Sequence, residues 1–98
     1  MSPATHSYYS GASDAQIIYE TIGSYFDKIA DAHSANPALV VRHQGVNWTY
    51  GELQARVDRL AMGLIHLGIN PGDRVGIWGP NSSEWVLVQL ATAKIGAI

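Results

Sequence analysis

Residues 47–53 read Asn-Trp-Thr-Tyr-Gly-Glu-Leu, and the rhythm of the chain changes across them. Just before Trp48, over residues 38–46, the apolar residues fall in short β-branched groups; after Tyr50 they recur every three or four positions. Thr49 stands three residues before Glu52, the spacing of a capping box. There the threonine hydroxyl accepts from the third helical amide and the glutamate reaches back to the N-cap amide. As chemistry, the same residues need a nucleophile or base partner, and the neighbouring sequence supplies none. The stretch therefore reads as a strand-to-helix junction, with Trp48 and Tyr50 as packing aromatics.

Working outward from that junction, Leu53, Val57, Leu60, Ala61, Leu64 and Leu67 form one apolar stripe of a helix. Glu52 and Arg56 are spaced for a favourable i, i+4 pair, and Gly68 is the expected stop just past the helix. Asn70-Pro71-Gly72-Asp73 suits a type II turn. Arg74–Trp78 follows as a strand, and Gly79–Ser83 as a loop. A helix from about Glu84 to Ile95 is apolar almost all round, so burial on more than one side is expected. Ala97-Ile98 reads as the opening of another buried strand, which predicts that the chain is the first segment of a longer protein.

On the upstream side, Val46–Trp48 pairs in this reading with Ala38–Val41 across a Gln44-Gly45 turn. Ile22, Tyr25, Phe26, Ile29 and Ala30 form the stripe of a first helix, with Thr21 as N-cap and Ser34–Pro37 as terminator. Residues 1–18, rich in Ser, Ala, Gly and Tyr, are expected to form a flexible tail; 19–98 are expected to form the folded part. This order predicts an α/β fold with helices on a mainly parallel sheet plus a short β-hairpin.

Composition narrows the function. The 98 residues are 47% hydrophobic and 14% charged, with a formal net charge of −2 and scattered cations. That excludes the basic stripe of a nucleic-acid binder. No cysteine is present, which removes disulfides, thiolate metal sites and cysteine nucleophiles. The N-terminus carries no signal-peptide pattern, and no apolar run approaches the ~20 residues that span a bilayer. A cytoplasmic setting is expected.

Each candidate site has a plain structural reading. The segment Gly76–Ser82 joins a strand to a helix, where phosphates bind, but it matches neither phosphate-loop pattern. Pro80 removes a donor, and Asn81 or Ser82 as N-cap with Glu84 in the first turn accounts for it. His6, His33, His43 and His66 lie at no metal-ligand spacing, and His33 and His66 suit helix ends. Lys94 sits late in its helix, where complementing the helix dipole suffices. Asp27, Asp31, Asp58 and Asp73 form no recognisable acid–base pair. The residues assign no catalytic, cofactor-binding or metal-binding position.

Three stretches together resemble a known family. WTYGELQARVDRLAMGLIHLGINPGDRVGIW resembles the opening of the adenylate-forming (AMP-binding) superfamily of acyl-CoA synthetases and adenylation domains. That family has L-T-Y-x-E-L, a helix, then a G-D-R-V-x-[IV] strand. Thr49, Tyr50, Glu52 and Leu53 match, with Trp48 in place of the usual leucine. PNSSEWVLVQLATAKIGAI is similar to the following helix, Lys94-Ile95-Gly96-Ala97 matching the K-x-G-A start of the second core motif. ETIGSYFDKIADAHSANPALVVRHQGVNWTY resembles the usual lead-in, so the likeness covers residues 20–98. The wording is most like fatty-acyl-CoA synthetases.

The resemblance implies a parent enzyme that joins a fatty acid or other small carboxylate to ATP, with Mg²⁺, and passes the acyl group to coenzyme A. The physical logic is activation, since AMP leaves more readily than hydroxide and the metal neutralises developing phosphate charge. The family's phosphate loop, adenine-contacting motif, ribose-binding aspartate and catalytic lysine match no position here, so this chain alone is expected to be inactive and to bind no cofactor. Its expected partner is the remainder of the parent chain. Two alternatives stay open: an adenylation domain that loads a carrier protein, and a free-standing α/β interaction module without catalysis.

Overall fold

The computed structural model describes residues 6–98. Residues 1–5 of the expected tail lie outside the described residues, and 6–20 are exposed and form neither helix nor strand. The ordered elements are α1 (Ile22–Ala32), β1 (Pro37–Val41), β2 (Val46–Thr49), α2 (Tyr50–His66) and α3 (Ser83–Ile95).

Local chemistry explains most of the boundaries. Thr21 caps α1, its hydroxyl accepting from the Ser24 amide at 3.2 Å. β1 and β2 form an antiparallel hairpin in which Val41 faces Val46 and Leu39 faces Trp48, with a bulge between Pro37 and Leu39. A short 3₁₀ turn, Arg42–Gln44, and Gly45 at φ 66° close it. Only a residue tolerant of the left-handed region fits there without strain. Helix α2 ends in a Schellman motif. The Ile69 amide reaches the Leu64 carbonyl at 3.1 Å, and the Gly68 amide reaches Ile65 at 3.0 Å, with Gly68 at φ 94°. The Asn70–Asp73 turn forms as expected, with Gly72 at φ 88° and the Asp73 amide on the Asn70 carbonyl at 3.0 Å.

α2 is the central element and packs against α1, α3 and the hairpin. The core is small: Leu53, Val57 and Ala61 of α2, with Ala30 of α1 and Ala91 of α3. Val57 is the largest fully buried side chain, and its burial contributes about 2 kcal/mol. The alanines let the helix axes approach closely. Phe26, Leu39, Trp48 and Leu90 pack around this centre half-buried.

Several expectations are corrected. Leu67, the last member of the α2 stripe, is 80% exposed, because the helix ends there and turns away from the core. Helix α3 is fully enclosed only at Ser83 and Ala91; Glu84, Trp85 and Gln89 are exposed and the rest of the helix is half-buried. Arg74–Trp78 forms no regular strand, since a strand needs a neighbour along its length and Trp78 is fully exposed. What exists is one parallel pairing. The Ile98 amide donates to the Asp73 carbonyl at 2.7 Å, and the Val75 amide donates to the Ile98 carbonyl at 2.8 Å. This alternation is that of a parallel bridge. The parallel sheet of the α/β fold is represented in the described residues by that contact.

Candidate functional site

Helix N-termini are the usual seats of bound anions. At α2 the first amides already have partners: Tyr50 donates to the Asn36 carbonyl and Gly51 to the Ser34 carbonyl, both at 3.0 Å. The Glu52 amide donates to Thr49 Oγ1 at 3.2 Å. The forward arm of the capping box is therefore present. The return arm is altered, because Glu52 Oε1 accepts from the Thr49 hydroxyl at 3.3 Å and not from the Thr49 amide. Thr49 is also the last residue of β2, opposite Pro37, which commits its backbone to the hairpin. Arg56 does not pair with Glu52; its guanidinium lies 4.4 Å from the centre of the Trp48 ring. That is cation–π geometry. Trp48 is thus a packing aromatic with a cationic cover.

At α3 the N-cap position is Ser82, but its side chain caps nothing. Gln44, on the hairpin turn, takes over: its Oε1 accepts from the Ser83 amide at 2.8 Å and its Nε2 donates to Glu84 Oε2 at 2.9 Å. The hydrogen bond from Gln44, followed by that from the Glu84 amide itself, holds the Glu84 carboxyl below its ordinary range. The loop before the helix is tied down by Trp85, whose indole N–H donates to the Gly79 carbonyl at 3.1 Å. An amide already bonded to a neutral amide oxygen, beside a carboxylate, is a poor seat for a phosphate.

The densest polar cluster joins all three helices. Lys94 Nζ, on a side chain 13% exposed, donates to Asp27 Oδ1 of α1 at 2.6 Å and also to Asp58 of α2. Gln54 Nε2 donates to Asp27 Oδ1 at 2.9 Å and to Asp31 Oδ1 at 3.3 Å. Hydrogen bonds from Gln54, then from Lys94, hold Asp27 below its usual value, against the opposing effect of burial. Burial pushes the Lys94 ammonium down, but the bonds to Asp27 and Asp58 outweigh it and raise its pKa. The ammonium stays charged and its two carboxylates are occupied, so the cluster offers neither a free base nor an amine nucleophile. It borders an open groove of about 620 Å³ between α1 and the end of α3.

Lys94 therefore does more than complement a helix dipole, and Asp58 of α2 is brought up to Asp27 and Asp31, which stand one turn apart on α1. One signal pointed that way: Lys94 is the lone cation of a largely apolar helix. The sequence marked Gln44 only as a turn residue, and nothing in it singled out Gln54. His66 sits at its helix end as expected, Nδ1 2.8 Å from the Met62 carbonyl, and His33 is the C-cap of α1. Among the described residues no three His, Cys, Asp or Glu side chains form a group that could hold a metal ion. No helix among them is long and apolar enough to cross a membrane.

Residues 26–98 match the family described as AMP-binding enzyme. Over 92 residues the chain is 42% identical to the medium-chain acyl-CoA ligase ACSF2, mitochondrial, of Rattus norvegicus, covering 94% of this chain and 15% of that protein. It is similar in structure to a Mycobacterium tuberculosis fatty acyl CoA synthetase, at 35% identity and TM-score 0.76 over 80% of this chain and 16% of that one. It is similar also to NpsA-ThdA, an artificially fused adenylation–PCP di-domain NRPS from Klebsiella oxytoca. That likeness has 30% identity and TM-score 0.75, over 81% of this chain and 15% of the other. The chain spans about 15% of the length of the curated relatives it matches. The three helices and the hairpin are an α/β portion of the N-terminal subdomain of adenylate-forming enzymes. On the match over residues 26–98 and these likenesses, the chain belongs to the AMP-binding enzyme family.

Proposed function

We propose that this chain is the opening segment of an ATP-dependent fatty-acid–CoA ligase. The complete protein would join a carboxylate to ATP, releasing pyrophosphate, and transfer the acyl group to the thiol of coenzyme A. The observation that carries this reading is the 42% identity, over 94% of the chain, to a protein named as a medium-chain acyl-CoA ligase.

ATP, Mg²⁺ and coenzyme A belong, in this reading, to the remainder of the protein. The N-termini of α2 and α3 are poor seats for a nucleotide phosphate, because the leading amides of α2 and the Ser83 amide of α3 are bonded to protein oxygens. Residues 1–18 serve as a tail to the folded segment 19–98, the 98-residue chain alone is inactive, and the setting is cytoplasmic. The rat relative is named as mitochondrial, so fractionation of the complete protein decides the compartment.

A second reading has its own support: the adenylation–PCP di-domain matches with a TM-score of 0.75, beside 0.76 for the fatty acyl CoA synthetase. In that reading the acceptor is a carrier-protein thiol. The complete protein, given ATP, Mg²⁺, a medium-chain fatty acid and coenzyme A, is expected to yield AMP and an acyl-CoA thioester. Adenylate formation without acyl-CoA would favour the carrier acceptor, and the absence of both products would overturn both readings.

A further inference from the structure

We propose that Lys94 is a positioning residue that fixes the start of the parallel strand at Ala97-Ile98 against Asp73–Val75. The problem it solves is set by the sequence of α3. That helix is apolar nearly all round, and apolar burial is non-directional, so packing alone does not select its rotation or its height on α1 and α2. A slip of one turn would move its end by about 5.4 Å. A directional contact to two other helices removes that freedom.

Lys94 has that contact. From α1 it meets Asp27 at 2.6 Å, the Phe26 ring at 5.8 Å from ammonium to centroid, and Gly23, where a Cβ would come within 2.9 Å of Lys94 Cγ and 3.1 Å of its Cα. From α2 it meets Asp58. Gln54 of α2 orients Asp27 from the other side. The two carboxylates stand on different helices, so the two contacts together restrict where α3 can sit. Ionic contacts between packed elements are best attested as devices of register, not of raw stability.

The placement is passed on within four residues. One residue beyond Ile95, Gly96 turns the chain at φ 77° against Pro71, a would-be Cβ lying 3.4 Å from Pro71 Cβ. The Gly96 carbonyl accepts the Gly72 amide at 2.8 Å, and Ile98 then makes its two bonds with Asp73 and Val75. Register in a strand is discrete, and a shift of one residue turns every side chain to the other face. The position of Lys94 is therefore the position of the strand.

Amide hydrogen exchange on the complete protein that carries this chain tests this, comparing wild type with Lys94→Met, Asp27→Asn and Asp58→Asn. Lys94→Met keeps a long apolar stem and removes the charge. Exchange across Gly72–Val75 and Gly96–Ile98 is expected to rise about tenfold or more while Val57–Ala61 in α2 stays protected, because sub-global openings are independent of the core. Asp27→Asn and Asp58→Asn are expected to give smaller rises at the same amides. Equal rises throughout would show only a loss of general stability and would overturn the proposal, as would no rise at all. If Lys94→Met does not fold, the two asparagine variants decide by the same pattern.

Discussion

Gln44 caps a helix that begins far along the chain: its side-chain oxygen holds the Ser83 amide at 2.8 Å, while Ser82 at the N-cap position makes no capping bond. Gln44→Ala is therefore expected to cost about 1 kcal/mol, the usual value of an N-cap. Ser82→Ala, which removes no capping bond, is expected to stay within about 0.5 kcal/mol of wild type. Urea unfolding of both variants checks this; equal losses would contradict the assignment of the cap.

Thr49 is the corresponding residue for α2, and here the cap is local. Thr49→Ala removes the acceptor of the Glu52 amide and is expected to cost about 1 kcal/mol. Thr49→Ser retains the hydroxyl and is expected to cost well under half as much. Thermal unfolding of the two variants separates the hydroxyl from the β-branched methyl, and a similar loss for both would assign the effect to packing.

Gly23 is required by the approach of α3 to α1. Gly23→Ala places a methyl 2.9 Å from Lys94 Cγ and 3.1 Å from its Cα, so backbone must move. Overpacking of this kind costs about 1–3 kcal/mol, against a gain of about 1 kcal/mol in helix propensity. A net loss in denaturant unfolding is expected, whereas Gly63→Ala in α2, where a Cβ meets open space, is expected to stabilise.

The ionic junction also sets a pH window. Asp27 titrates below its ordinary 3.8 in the folded chain, so its contribution is complete above 3.8 and is lost as pH falls from there through the folded value. Lys94 titrates above its ordinary 10.5, so its contribution is complete below 10.5 and is lost as pH rises through the folded value. Both carboxylates are well exposed, so each step is small, and salt should shrink it further. The contribution of this junction is expected to be flat between these limits; Asp27→Asn should flatten its acid step.

The sequence disclosed what is encoded locally. Thr21, Thr49, Gly68 and the Asn70–Asp73 turn are short-range devices, and each stands where its spacing placed it. The hairpin was legible for the same reason, since its bonds span only a few residues. What stayed hidden depends on contacts between distant segments. Gln44 meets Ser83 across 39 positions, and Lys94 meets Asp27 across 67. No periodicity carries such information. The Arg74–Trp78 strand was misread because β-branched composition marks strand propensity, while strand formation requires a neighbour.

The central functional claim is that carboxylate activation belongs to the complete protein and not to this segment. Carboxylate-dependent exchange of labelled pyrophosphate into ATP measures that step directly. Run on the complete protein with a medium-chain fatty acid and on the 98-residue chain alone, the assay is expected to show exchange in the first and none in the second. Exchange by the short chain, or its absence from a folded complete protein across a panel of carboxylates, would contradict the claim.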